Sequence, residues 1–121
     1  MKFTLPIHLK SISNRREHWG TAARRAANHR GVAKANVLVR PKVALPVTVT
    51  MTMIAPRPLD SDDNLRDAFK ALKDGIADAY GLPDNDWRFT WIYAQRRGKA
   101  REYAVEIRVD ARASEVEHTG V

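Results

Sequence analysis

Between Pro46 and Pro56 the chain alternates: Val47, Val49, Met51 and Met53 face one way, Thr48, Thr50 and Thr52 the other. Strict period-two alternation rich in β-branched residues predicts a half-buried strand, entered through Leu45-Pro46 and ended by Pro56 and Pro58. Such a strand leaves one apolar face that another layer must cover. The segment from Asp63 to about Tyr80 is suited to cover it. Leu65, Phe69, Leu72, Ile76 and Ala79 recur there at spacings of three and four, which predicts an amphipathic helix. Aspartates at its start suit the positive end of the helix dipole, Gly81 supplies the stop, and Pro83 follows.

Weaker patterns complete the order. Phe3, Leu5 and Ile7 alternate with Lys2, Thr4 and Pro6, an edge strand or strand end. Ser11 to Asn14 reads as a polar turn, and an Ala- and Arg-rich helical stretch runs from Arg15 to about Val39, with Gly20 and Gly31 as candidate breaks. Phe89 to Ala94 and Tyr103 to Val109 read as two strands of a hairpin whose long tip, residues 95–101, is basic. The order β-α-β-α-β-β predicts an α+β domain, a small mixed β-sheet with two main helices packed on it. One domain over residues 1–110 is expected, with a frayed tail at 111–121.

Composition narrows the function. The chain has 121 residues, 44% of them apolar, which supports one core and excludes a disordered polyelectrolyte. The absence of cysteine excludes disulfides, thiolate metal sites and a thiol nucleophile. Apolar runs are only a few residues long, so no membrane helix is expected. The N-terminus lacks the apolar run of a signal peptide, so a cytoplasmic location is expected.

The net charge of +7 is unevenly spread. Residues 1–50 hold ten Lys or Arg and one acid, Glu17, a local +9. Residues 60–86 hold eight Asp against Arg66, Lys70 and Lys73, a local −5, and residues 87–109 return to +4. A surface built only for phosphate would avoid such an aspartate cluster, but carboxylates that hold Mg²⁺ or Mn²⁺ become a phosphate-attracting centre.

Other chemistries lack their motifs. The four histidines show no metal-ligand spacing, Gly98-Lys99 lacks the upstream glycine and following hydroxyl of a P-loop, and no serine sits in a Gly-x-Ser-x-Gly context. An EF-hand loop is also absent. What remains is Asp60-Ser61-Asp62-Asp63-Asn64-Leu65 opening the second helix and Pro83-Asp84-Asn85-Asp86 beyond its far end. A helix over 64–80 is roughly 25 Å long, so its two ends share one cation only if the chain returns. An early stop near Gly75, with the segment after Gly81 leading Asp86 back, is one way to bring them together.

These residues resemble the RusA family of Holliday junction resolvases, over roughly residues 2–109. The resemblance runs through an N-terminal strand, Ser13-Asn14-Arg15, an arginine-rich stretch, a strand ended by proline, and Asp63-Asn64-Leu65 opening a helix. Ala68-Phe69-Lys70-Ala71-Leu72, an acidic turn and a final hairpin follow. It implies a homodimeric α+β nuclease that cleaves four-way DNA junctions with Mg²⁺ or Mn²⁺. The family's Asp-x-Asp-Asn signature puts its second acid on Asp63 and the acid of the downstream turn on Asp86. The signature's first acid falls on Ser61, with Asp60 and Asp62 on either side to substitute. The family lysine falls on Asp67, and Lys70, one helical turn on, is its replacement.

The resemblance therefore implies catalytic Asp63, Asp86 and Lys70, and metal ligands among Asp60, Asp62, Asp63, Asp86 and Asp84. Asn14, Arg15, Arg16, Arg24 and Arg25, with Arg96, Arg97, Lys99 and Arg101, form the expected grip on branched DNA. Each has a plainer reading. Asp63 is also a good helix N-cap, Asp86 an ordinary turn residue, and Lys70 a solvated helix lysine. Trp19, Trp87 and Trp91 are expected in core or interface packing rather than in base stacking. The alternative to a nuclease is a non-catalytic DNA-binding or DNA-architectural protein that keeps the fold with a degraded site.

Overall fold

The alternating strand and the amphipathic helix meet as their patterns require. In the computed structural model, which describes residues 1–9, 19–59 and 62–112, the elements are β1 (Lys2–Leu5), α1 (Trp19–Leu38), β2 (Val47–Ala55), α2 (Asp62–Ala79), β3 (Phe89–Arg97) and β4 (Ala104–Ala111). They form an α+β domain with one mixed four-stranded sheet, ordered β1-β4-β2-β3. β2 pairs parallel with β3, from Val47 opposite Phe89 to Ala55 opposite Arg97, and β4 runs antiparallel to both β1 and β2.

The sheet's inner face is built from the alternating residues: Phe3 and Leu5 of β1, Val47, Val49, Met51 and Met53 of β2, Val105, Ile107 and Val109 of β4. Phe69, Leu72 and Ile76 of α2 and Ala33 and Val37 of α1 cover that face, all at 0% exposure. Truncating a ring as completely enclosed as Phe69 costs about 3–5 kcal/mol. Among the described residues, no helix is long and apolar enough to cross a membrane.

Three expectations are corrected. First, α1 is one continuous helix through Gly31, where a Cβ would meet open space, so that glycine imposes no break. Second, α2 runs through Gly75 without stopping. A Cβ at Gly75 would lie 2.2 Å from the carbonyl oxygen of Arg30, so the glycine is there for close approach of α1. The helix ends at Gly81 (φ +69°), the stop its sequence predicts. There Leu82 N–H donates to Ala77 O (3.2 Å) and Gly81 N–H to Asp78 O (2.9 Å), the paired bonds of a Schellman stop.

Third, β3 and β4 do not form a hairpin, because β2 lies between them. The basic segment after β3 crosses over the end of β2, pinned by a hydrogen bond from Gly98 N–H to Ala55 O (2.8 Å). β4 continues through Ala111, and Arg112 N–H donates to Pro46 O (2.9 Å). Residues 113–121 lie outside the described residues.

This topology gives the sheet two unlike edges. The carboxyl ends of β1, β2 and β3 and the start of β4 share one edge, where α2 also begins; the other holds the start of β2 and β3 and the acidic turn.

Candidate active site

At the carboxyl edge the chain leaves β2 at Ala55 and is caught by the side chain of Gln95, which accepts from Leu59 N–H (2.9 Å) and donates to Leu59 O (3.4 Å). Three residues later Asp62 and Asp63 open α2. Asp60 lies outside the described residues, and only the backbone positions of Asp62 and Asp63 are described. The acidic opening of α2 is thus tethered to β3 just before the basic crossover.

The crossover is a tight, self-bonded turn. Lys99 N–H donates to Glu102 Oε1 (2.8 Å), and Glu102 N–H returns a bond to Lys99 O (3.0 Å). A Cβ at Gly98 would stand 2.8 Å from Glu102 Oε1 and 3.0 Å from Ile54 Cγ2, which explains the glycine. Arg101 takes a left-handed backbone (φ 63°), uncommon for a residue with a Cβ and costing about 1–2 kcal/mol. Arg57, Arg96, Arg97, Lys99 and Arg101 are all exposed, and among the described residues none of their side chains makes a hydrogen bond or ion pair.

The polar stripe of α2 is arranged differently. Lys70 Nζ sits between two carboxylates, 3.0 Å from Asp74 Oδ1 and 3.0 Å from Asp84 Oδ2. Lys73 Nζ is 3.5 Å from the same Asp84 oxygen and lies over the Trp91 ring, 5.3 Å from its centre. The Trp91 indole N–H donates to Asp84 O (2.8 Å), fixing the turn against β3. Hydrogen bonds to Asp74 and Asp84 raise the pKa of Lys70, and the bond from Lys70 lowers that of Asp84. Both groups stay charged near neutrality.

The acidic turn does return toward the helix, but through Asp84 and not through Asp86. Asp86 instead accepts from Arg88 three times: from its N–H (3.0 Å), Nε (2.9 Å) and Nη2 (3.1 Å). That guanidinium and amide hold its carboxyl at about 2. Arg88 O accepts from Val47 N–H (2.9 Å), which places the pair at the amino end of β2. The eight residue steps of the β2–β3 register put this end roughly 26 Å from the carboxyl ends of the two strands. Asp86 thus lies at the opposite end of β2 from the one the chain leaves toward Asp63. Arg88, two residues away, is the partner that Asp86 meets here.

Between α1 and α2 lies a cleft of about 700 Å³, lined by alanines (Ala22, Ala26, Ala71) and rimmed by Arg25, His29 and Asp67. It adjoins a 280 Å³ charged hollow formed by Arg30, Lys70, Asp74, Asp78 and Asp84. Arg30 clasps Asp78 there with two bonds, 2.6 and 2.9 Å. Burial, and then the charge of Arg25, lowers the pKa of His29. Arg24 is exposed and reaches only Thr21 Oγ1 (3.4 Å). Asn14, Arg15 and Arg16 lie outside the described residues. Of the tryptophans, Trp91 packs beside Phe89 as expected (ring centres 5.0 Å apart), whereas Trp87 is 73% exposed.

Among the described residues no three acidic or histidine side chains converge as a metal site. The donor set that suits a hard divalent cation is Asp60, Asp62 and Asp63, three carboxylates within four residues and no soft ligand. Sequence reasoning overlooked Asp74, although its place four residues after Lys70 was legible helical spacing. It also overlooked Gln95, whose role depends on a contact 36 residues away. No protein-family model matches the chain, and no curated protein matches it significantly.

Proposed function

We propose that this protein is a metal-dependent, structure-selective DNA endonuclease of the RusA-like Holliday junction resolvase type, hydrolysing phosphodiesters in four-way or other branched DNA. One observation carries the reading: the Asp-rich opening of α2 shares an edge of the sheet with five exposed cations that have no partner among the described residues. Unpaired Arg and Lys side chains suit the phosphate backbone, and the acids beside them suit the cation that cutting requires.

Asp60, Asp62 and Asp63 would hold Mg²⁺ or Mn²⁺, which when bound stabilises negative charge developing on the phosphodiester. The residues of the chain do the rest. Arg96, Arg97, Lys99 and Arg101 hold flanking phosphates. Lys70, fully protonated and steadied by Asp74 and Asp84, adds positive charge on the helix that Asp63 opens. Asp84 acts here as a positioning residue. A two-fold junction has two strands to cut, which suits the homodimer implied by the family resemblance.

The Asp63→Asn protein is expected to bind a synthetic four-way junction with wild-type affinity and to nick it at least about 100-fold more slowly with Mg²⁺ or Mn²⁺. Undiminished nicking would remove Asp63 from the mechanism. A second reading draws on Lys70, whose charge is already satisfied by two carboxylates. On that reading the protein is a non-catalytic DNA-binding or architectural protein, and junction binding with steep salt dependence accompanies no cleavage under any metal.

A further inference from the structure

The carboxyl edge carries an aromatic pair that neither the core nor the charge pattern requires. Leu5 at the end of β1 pairs with Val105 near the start of β4, so residues just past β1 meet residues just before β4. There the rings of His8 and Tyr103 stack, with centroids 3.7 Å apart and planes at 23°. Both residues are exposed, Tyr103 by 39%. Tyr103 stands two residues after Arg101 and four after Lys99, with Glu102 between, and the next residue, Ala104, pairs with Ile54. Ile54 adjoins Ala55, the partner of Arg97. An aromatic ring displayed among unpaired cations is the combination that binds unpaired nucleotides: the ring takes a base face while the cations follow the phosphates.

We infer that the stacked His8–Tyr103 pair is a platform for an unpaired nucleobase, Tyr103 receiving the base and His8 backing it. The inference deepens the nuclease reading and rests on it for the identity of the ligand as DNA. A base exposed at a branch point would stack there, whereas paired bases within a duplex would not. Tyr103 would then confer preference for branched or single-stranded DNA over plain duplex, a specificity that phosphate contacts cannot supply.

The test uses the full chain in EDTA, with 2-aminopurine placed in a single strand or at the branch of a four-way junction, and an unmodified duplex as control. Wild type is expected to change the 2-aminopurine fluorescence on binding. Tyr103→Ala should abolish that change and weaken single-strand binding about tenfold, leaving duplex binding within about twofold. Tyr103→Trp should restore both. The platform is overturned if Tyr103→Ala matches wild type, if it weakens duplex and single strand equally, or if Tyr103→Trp, folded by its melting temperature, fails to restore stacking. Nicking assayed separately distinguishes the two readings. Tyr103-dependent stacking without nicking sinks the nuclease alone; nicking with stacking unchanged in Tyr103→Ala sinks the platform alone.

Discussion

The basic crossover and the α2 stripe carry similar numbers of cations but treat them in opposite ways. Around α2, Arg30, Lys70 and Lys73 each meet a carboxylate, and Arg88 beyond it grips Asp86. In the crossover Arg96, Arg97, Lys99 and Arg101 stay exposed without such partners among the described residues. An exposed ion pair contributes little to stability, about 0–1 kcal/mol, so pairing alone does not explain the first region. The difference is one of availability. Charges that meet carboxylates inside the fold offer less to a polyanion than charges left unpaired at an edge. Net charge therefore says less about this chain than the distribution of partners, which under the proposed function selects the surface for DNA.

The sharpest way to break this comparison is to replace Arg96, Arg97, Lys99 and Arg101 together by Ala. Junction affinity should fall steeply, and the slope of log affinity against log salt should flatten by about 0.9 for each phosphate left without its cation. Replacing Arg30, Lys73 and Arg88 instead should leave that slope nearly unchanged. Equal effects from the two sets would erase the distinction.

A smaller effect separates the two mid-helix glycines. Gly75→Ala should destabilise the fold by about 1–3 kcal/mol in denaturant titration, since the new methyl meets the Arg30 carbonyl. Gly31→Ala faces open space and should stabilise by up to about 1 kcal/mol through helix propensity. The same sign for both would contradict the close approach of α1 and α2.

The smallest effect concerns Asp86. Its carboxyl is held at about 2 by Arg88, below the ordinary value of 3.8, so its contribution is complete above about pH 4 and is lost as pH falls toward 2. Melting temperature against pH should therefore decline more steeply over that acid range for wild type than for Asp86→Asn. Parallel curves would show that the Arg88 clasp does not stabilise the fold.

Local chemistry makes much of this structure legible in the sequence, and non-local contacts account for the rest. The Val/Met–Thr alternation of β2 and the three-four spacing of α2 need no tertiary information, and they suffice for an α+β class. β4 reads as a hairpin partner of β3 because Val105, Ile107 and Val109 alternate identically whichever strand lies beside them. Nothing local accounts for Gly75, because its reason, the Arg30 carbonyl, lies on another helix. Within the acidic turn, the sequence favours Asp86 over Asp84. Arg88 two residues away already points to a local clasp, whereas the reach of Asp84 to Lys70 depends on how the chain leaves Gly81.

Under the proposed function, cleavage belongs to the carboxyl edge, where α2 opens, and not to the amino edge, where Asp86 is clasped. The direct measurement is the single-turnover rate of nicking of a four-way junction with Mn²⁺ by wild type, Asp63→Asn and Asp86→Asn. The account predicts loss of at least about 100-fold for Asp63→Asn and less than about threefold for Asp86→Asn. A rate destroyed by Asp86→Asn and spared by Asp63→Asn would contradict it.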